Sequence, residues 1–133
     1  MAAVTTAMGT FLEAPLVRAS DGAVVAARCE VARTFGSRFL GLMGRAGLPP
    51  GGALWIEPCN SIHMMFVRFR IDVVFVDAEG RVLKVAPRVM PWLGLAACRS
   101  AVATVELEAG AAERMRLSPG DVLELRPGSG GGK

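Results

Sequence analysis

A chain of 133 residues with 52% apolar residues and a net charge of +3 has the size of one domain, and enough apolar content to bury a core without disulfide or metal staples. Its apolar residues fall in short runs broken by Gly, Pro and Arg, so no stretch has the length of a membrane-spanning helix. The positive charge is carried by scattered arginines, with Lys84 and Lys133 the only lysines, and this scatter disfavours a nucleic-acid surface, which needs a basic stripe with interleaved aromatics.

The first twenty residues, "MAAVTTAMGTFLEAPLVRAS", have no positive start, an acid at Glu13 and no unbroken apolar region. They make a poor secretory signal, and the expected location is the cytoplasm. Residues 1–14 lack periodicity and read as a flexible leader, and 128–133, mostly glycine, as a flexible tail. A single domain is expected over 15–127.

Within it, "PLVRASDGAVVAARCEV" sets Asp21-Gly22 between two β-prone runs, the signature of an opening hairpin. "TFGSRFLGLMGR" repeats Phe35, Phe39, Leu42 and Met43 at helical spacing and predicts the main helix over 34–43, stopped by "LPPGG". "ALWIEPC" and "SIHMMFVRFRIDVVFVD" read as strands, the second returning through a turn at 78–80 so that 71–77 pairs with 81–87. "MPWLGLAACRS" reads as an irregular connection and "AVATVELEAG" as a strand ending at Gly110. "AAERMRLSPGDVLELRP" supplies a short helical turn over 110–116, a Pro-Gly turn and a last strand over 121–126. The expected class is α+β, predominantly β: a small, mostly antiparallel sheet or partly closed barrel with one main helix.

"GLMGR" at 41–45, "LPPGGALWI" at 48–56, "IHMMFVRFRIDVVFVDAEGRV" at 62–82 and "VELEAGAAERMRLSPGD" at 105–121 together resemble the ordered blocks of the bacterial and archaeal family called domain of unknown function 192. The resemblance spans roughly residues 18–125 and implies a compact β-rich α+β domain with no established reaction. Gly41, Leu42, Met43, Arg45, Asp72, Gly110, Gly120 and Asp121 match motif positions, none with an agreed catalytic role to carry over. Where many members carry "FWMKNT", this chain has "IHMMFV", so His63 takes the usual Trp place and Met65 the usual Lys place.

Three constellations carry chemistry. Cys59, His63 and Cys98 are natural ligands for zinc or copper, and the methionines beside them favour copper(I). In an extended strand, however, Cys59 and His63 lie about 13 Å apart at ~3.3 Å per residue, so a shared metal requires a bend. The same residues frame a metal-dependent or a cysteine-based enzyme, the latter with His63 as base for Cys59 or Cys98, although no third member or oxyanion motif accompanies them. No complete catalytic set emerges, and the odd cysteine count without CxxC spacing points to buried thiols.

The third constellation is a groove between the end of "GLMGR" and the 59–72 segment. Arg45, His63 and Asp72 are its expected polar contacts, and Trp55 and Met64 its apolar walls. Arginine beside apolar and aromatic groups suits a small anionic ligand or a peptide segment. The leading expectation is thus a noncatalytic binding or accessory module for a small molecule or protein partner.

Overall fold

The computed structural model describes residues 2–6, 9–33 and 47–127. Ten strands and one short helix occur among them: β1 (Ala2–Thr6), β2 (Gly9–Arg18), β3 (Val24–Ala32), β4 (Gly52–Ile56), β5 (Ser61–His63), β6 (Ile71–Val76), β7 (Val82–Val89), β8 (Leu95–Ala97), β9 (Ala103–Glu108), α1 (Ala111–Arg114) and β10 (Leu123–Leu125). The main sheet runs β1-β2-β3-β4-β9-β6-β7, while β5 and β8 form a separate two-stranded ribbon. Every pairing in both sheets is antiparallel except β3 with β4. The class is the α+β, predominantly β one expected.

The sheet curls into a half-barrel, and the segment that carries β10 links β2 to the turn before β7. Leu123 to Leu125 pair with β2, while Val122 bridges Arg81 at the start of β7. The approach is close at Gly80, whose φ is +83° and where a Cβ would stand 2.2 Å from the Leu123 carbonyl oxygen. Only glycine fits both the left-handed backbone and that gap. Asp77 completes the turn by accepting the N–H groups of Glu79 and Arg81 on Oδ1, each at 2.9 Å.

Strict alternation along the central strands builds a core on each face. From β4, Ala53 and Trp55 enter one cluster and Leu54 and Ile56 the other; from β6, Val74 and Val76 oppose Ile71, Val73 and Phe75. With both faces covered, β6 is buried along its whole length, which explains a β-branched and aromatic run that only Asp72 interrupts. Complete burial of a side chain such as Phe75 stabilises by about 2 kcal/mol. The first face is closed by β2, β3, β10 and the alanines of α1, the second by Ile62, Met64 and Ala96 from in and around the ribbon.

Several expectations need adjustment. The run from 61 to 76 is not one strand: it breaks after His63, because the Met64 carbonyl accepts the N–H of Val67 at 2.9 Å and Phe66 takes a φ of +67°, outside any strand conformation. The 90–98 segment is not wholly irregular, since it contains β8. Within the stretch read as a leader lie β1 and the first half of β2, paired through Val4↔Phe11 and neighbouring residues. The opening and 71–87 hairpins form as expected, and the helical turn occupies 111–114. The main helix over 34–43 and the tail over 128–133 lie outside the described residues.

Candidate binding surface

The β5–β8 ribbon is short and sided. Its register sets Ser61 opposite Ala97, Ile62 opposite Ala96 and His63 opposite Leu95. Ile62 and Ala96 pack down onto the second core, which leaves Ser61, His63, Leu95 and Ala97 exposed on the outer face. Lys84 reaches over from β7 and donates from Nζ to the Ala97 carbonyl at 2.8 Å. Together these residues line an open depression of about 480 Å³, with an apolar floor and a hydroxyl, an imidazole and an ammonium group around it. Such a mixture suits an anionic group carried on an apolar body.

Two turns extend from the end of the ribbon and are hydrogen-bonded to one another. The Met64 N–H donates to the Gly94 carbonyl, and the Trp92 N–H donates to the Met64 carbonyl, each at 2.9 Å. Met64 itself is buried and anchors the pair. Gly94 permits the tight fold, since a Cβ there would stand 2.3 Å from the Met90 carbonyl oxygen. Outward from this anchor point Met65, Phe66, Met90 and Trp92, each about half exposed, together with Leu93 at 82% and Leu95 at 77%. The Phe66 and Trp92 rings meet edge to face at 5.4 Å, and both residues hold left-handed backbone, with φ of +67° and +65°.

The segments that build this surface carry charge of one sign. Residues 58–71 and 82–105 contribute Arg68, Arg70, Lys84, Arg88 and Arg99, all exposed, and contain no Asp or Glu. Arg88 pairs with Glu113 of α1 at 3.2 Å.

Of the residues singled out from the sequence, His63 lies on this surface. Met64 lies beneath it. Trp55 is buried in the first core, with Nε1 donating to Glu57 Oε1 at 2.9 Å. Asp72 is fully buried on the first face, where it accepts the backbone N–H groups of Arg88 at 2.8 Å, Gly110 at 3.0 Å and Ala112 at 2.8 Å. It therefore ties the end of β7 to the start of α1, and its oxygens face inward. Arg45, with the groove edge it was to form, lies outside the described residues.

The cysteine constellation does not gather. Among the described residues no group of three or more His, Cys, Asp and Glu side chains is placed to hold a metal ion, so zinc or copper finds no such set in Cys59, His63 and Cys98. Cys59 donates its thiol to the Ser61 carbonyl at 3.1 Å, and Cys98 packs in part against the second core. Cys29 is fully buried, and loss of water, with Glu30 nearby as a second cause, pushes its thiol up to about 12.

Sequence reasoning missed Lys84, Phe66, Trp92, Leu93 and Leu95. The available signal was an apolar pair inside a turn sequence, "PWLG", where polar residues are the norm.

The chain belongs to the family described as Uncharacterized ACR, domain of unknown function 192, which matches residues 16–125. It is 30% identical over 117 residues to a UPF0127 protein of Thermococcus sibiricus, spanning 82% of this chain and 73% of that one. Two solved structures share the fold. One, from Sinorhizobium meliloti 1021, is described as a "putative transcription regulator"; it superposes with a TM-score of 0.75 at 24% identity, over 86% of this chain and 95% of its own. The other is a protein of unknown function from Novosphingobium aromaticivorans, with a TM-score of 0.71 at 24% identity, over 93% of each chain.

Proposed function

We propose that this member of an uncharacterised family is a noncatalytic binding or accessory module of the cytoplasm that takes a small anionic ligand, or the anionic end of a peptide segment, in the depression between β5, β8 and Lys84. The observation that carries the reading is the convergence of Lys84 Nζ, His63 and Ser61 over the floor of Ile62 and Ala96. Lys84 spends one donor on Ala97 and keeps two for an anion, and the hydrogen bond holds its flexible stem in place. An apolar body lies against Leu95 while its anionic group meets the ammonium. The groove sought near Arg45 is thereby moved to the ribbon.

The test is a titration of the full chain with octanoate, and with octanol as the uncharged control, followed by backbone amide chemical shifts. The reading expects saturable shifts centred on 61–63 and 95–97 for octanoate, at least five-fold weaker with octanol or in Lys84→Ala. Shifts scattered elsewhere, or an affinity indifferent to Lys84 and to the carboxylate, would remove the depression as the site.

A further inference from the structure

Beyond this depression, we infer that the turn tips carrying Met65, Phe66, Trp92 and Leu93 form a membrane-interface surface, which dips into the headgroup region of a bilayer containing anionic lipid. No helix among the described residues is long and apolar enough to cross a membrane.

Three observations point to that occupant. The side chains are the kinds that bury in an interface, and they protrude from two turns fastened together through Met64, which makes a raised tip. Phe66 and Trp92 both hold left-handed backbone, a conformation that bulky residues adopt only under constraint, so the fold holds its aromatics outward against local preference. Finally, Arg68 and Arg70 follow Phe66 within four residues, both are exposed, and no acid interrupts the 58–71 segment that carries them. A polybasic rim around an apolar tip is the pattern that anionic headgroups attract.

The same charges argue against other occupants. A two-fold contact with a second copy would set each positive rim against its own image. Nucleic acid would satisfy the arginines and offer bases for stacking, but it leaves Leu93 and Leu95, the most exposed large apolar side chains among the described residues, facing polar phosphates. The two rings also meet edge on, at an interplanar angle of 66°, which is poor geometry for stacking successive bases.

The experiment uses the full chain with phosphatidylcholine vesicles, with and without phosphatidylglycerol. The expected result is co-sedimentation with the anionic vesicles, a blue shift of Trp92 emission while buried Trp55 stays constant, and release by added salt. Leu93→Ser should weaken partition by about ten-fold and Arg68→Gln by about five-fold. Both side chains are exposed, so circular dichroism and melting should be unchanged and the comparison stays clean. The inference is overturned if the wild-type chain fails to sediment with anionic vesicles. It is equally overturned if Leu93→Ser instead abolishes a dimer seen by sedimentation velocity, or binding to a single-stranded oligonucleotide or acidic peptide. Failure here leaves the Lys84 depression standing, because octanoate binding there depends on neither Leu93 nor Arg68.

Discussion

The rings of Phe66 and Trp92 meet edge to face at 5.4 Å although their backbones belong to separate turns, and both residues carry a positive φ. Left-handed backbone costs a bulky residue about 1–3 kcal/mol, while an edge-to-face aromatic pair returns about 0.5–1.5 kcal/mol. Glycine adopts this backbone without penalty, whereas alanine keeps the strain and loses the pair. Phe66→Gly is therefore expected to be more stable than Phe66→Ala by about 1 kcal/mol, the reverse of the order in a regular strand. Urea unfolding of the two variants reads this directly. A Phe66→Ala chain as stable as Phe66→Gly would mean that residue 66 is not held in the left-handed region.

Asp72 bears on folding through three bonds. Its oxygens accept from Arg88, Gly110 and Ala112, and the last two N–H groups lie at the start of α1, where a carboxylate is also favoured by the helix dipole. Asp72→Ala leaves buried donors without acceptors, each costing about 1–3 kcal/mol. The expected loss is about 4 kcal/mol, and Asp72→Asn, which retains one carbonyl oxygen, should lose less. A near-neutral Asp72→Ala in denaturant melts would exclude this role.

Cys29 gives the fold an alkaline limit. Its thiol is raised from 9.0 to about 12 in the folded chain, chiefly by burial. A raised pKa means that the folded state prefers the protonated thiol, so this contribution is complete below pH 9 and is lost as pH rises toward 12. Stability should fall by about 1.4 kcal/mol per pH unit in that window, and Cys29→Ala should remove this part of the slope. Melts at pH 8 and pH 10 on both chains check it. An identical slope in the variant would assign the alkaline loss to other groups.

Gly94 links sequence to surface. An added Cβ would meet the Met90 carbonyl oxygen at 2.3 Å and a Val89 methyl at 2.6 Å, so the 90–94 turn has to move. Gly94→Ala is expected to cost about 2 kcal/mol and to change the near-ultraviolet circular dichroism of the Phe66–Trp92 pair. An unchanged aromatic spectrum with full stability would show that the turn tolerates a side chain.

The fold was largely legible because alternation is a backbone property. Residues 71–76 and 103–108 are rich enough in β-branched and apolar residues to read as strands even though both of their faces are buried, and the turns at Asp21-Gly22 and Gly80 carry their own chemistry. The run before residue 71 misled for the same reason. His63, Met65, Val67 and Phe69 mimic a buried strand face, but β5 pairs with β8 instead of with the main sheet, and a turn at Met64 redirects the chain before β6 begins. Pairing partners are nonlocal, and no pattern within 61–70 encodes them. Asp72 illustrates a smaller gap: it was expected among the polar contacts of a groove, yet its oxygens are taken up by the backbone amides of residues 88, 110 and 112. Of the surface itself only His63 was visible as an exposed candidate, because Lys84 and Trp92 join it through tertiary contacts alone.

The most direct measurement of the binding face places Trp92 relative to a bilayer. With Trp55→Phe leaving Trp92 as the sole indole, its fluorescence can be followed on phosphatidylglycerol-containing vesicles whose acyl chains are brominated near the headgroup. The account predicts strong quenching of Trp92 that is reversed by salt and reduced about ten-fold in apparent affinity by Leu93→Ser. A Trp92 emission that stays unshifted and unquenched at saturating vesicle concentration would contradict it.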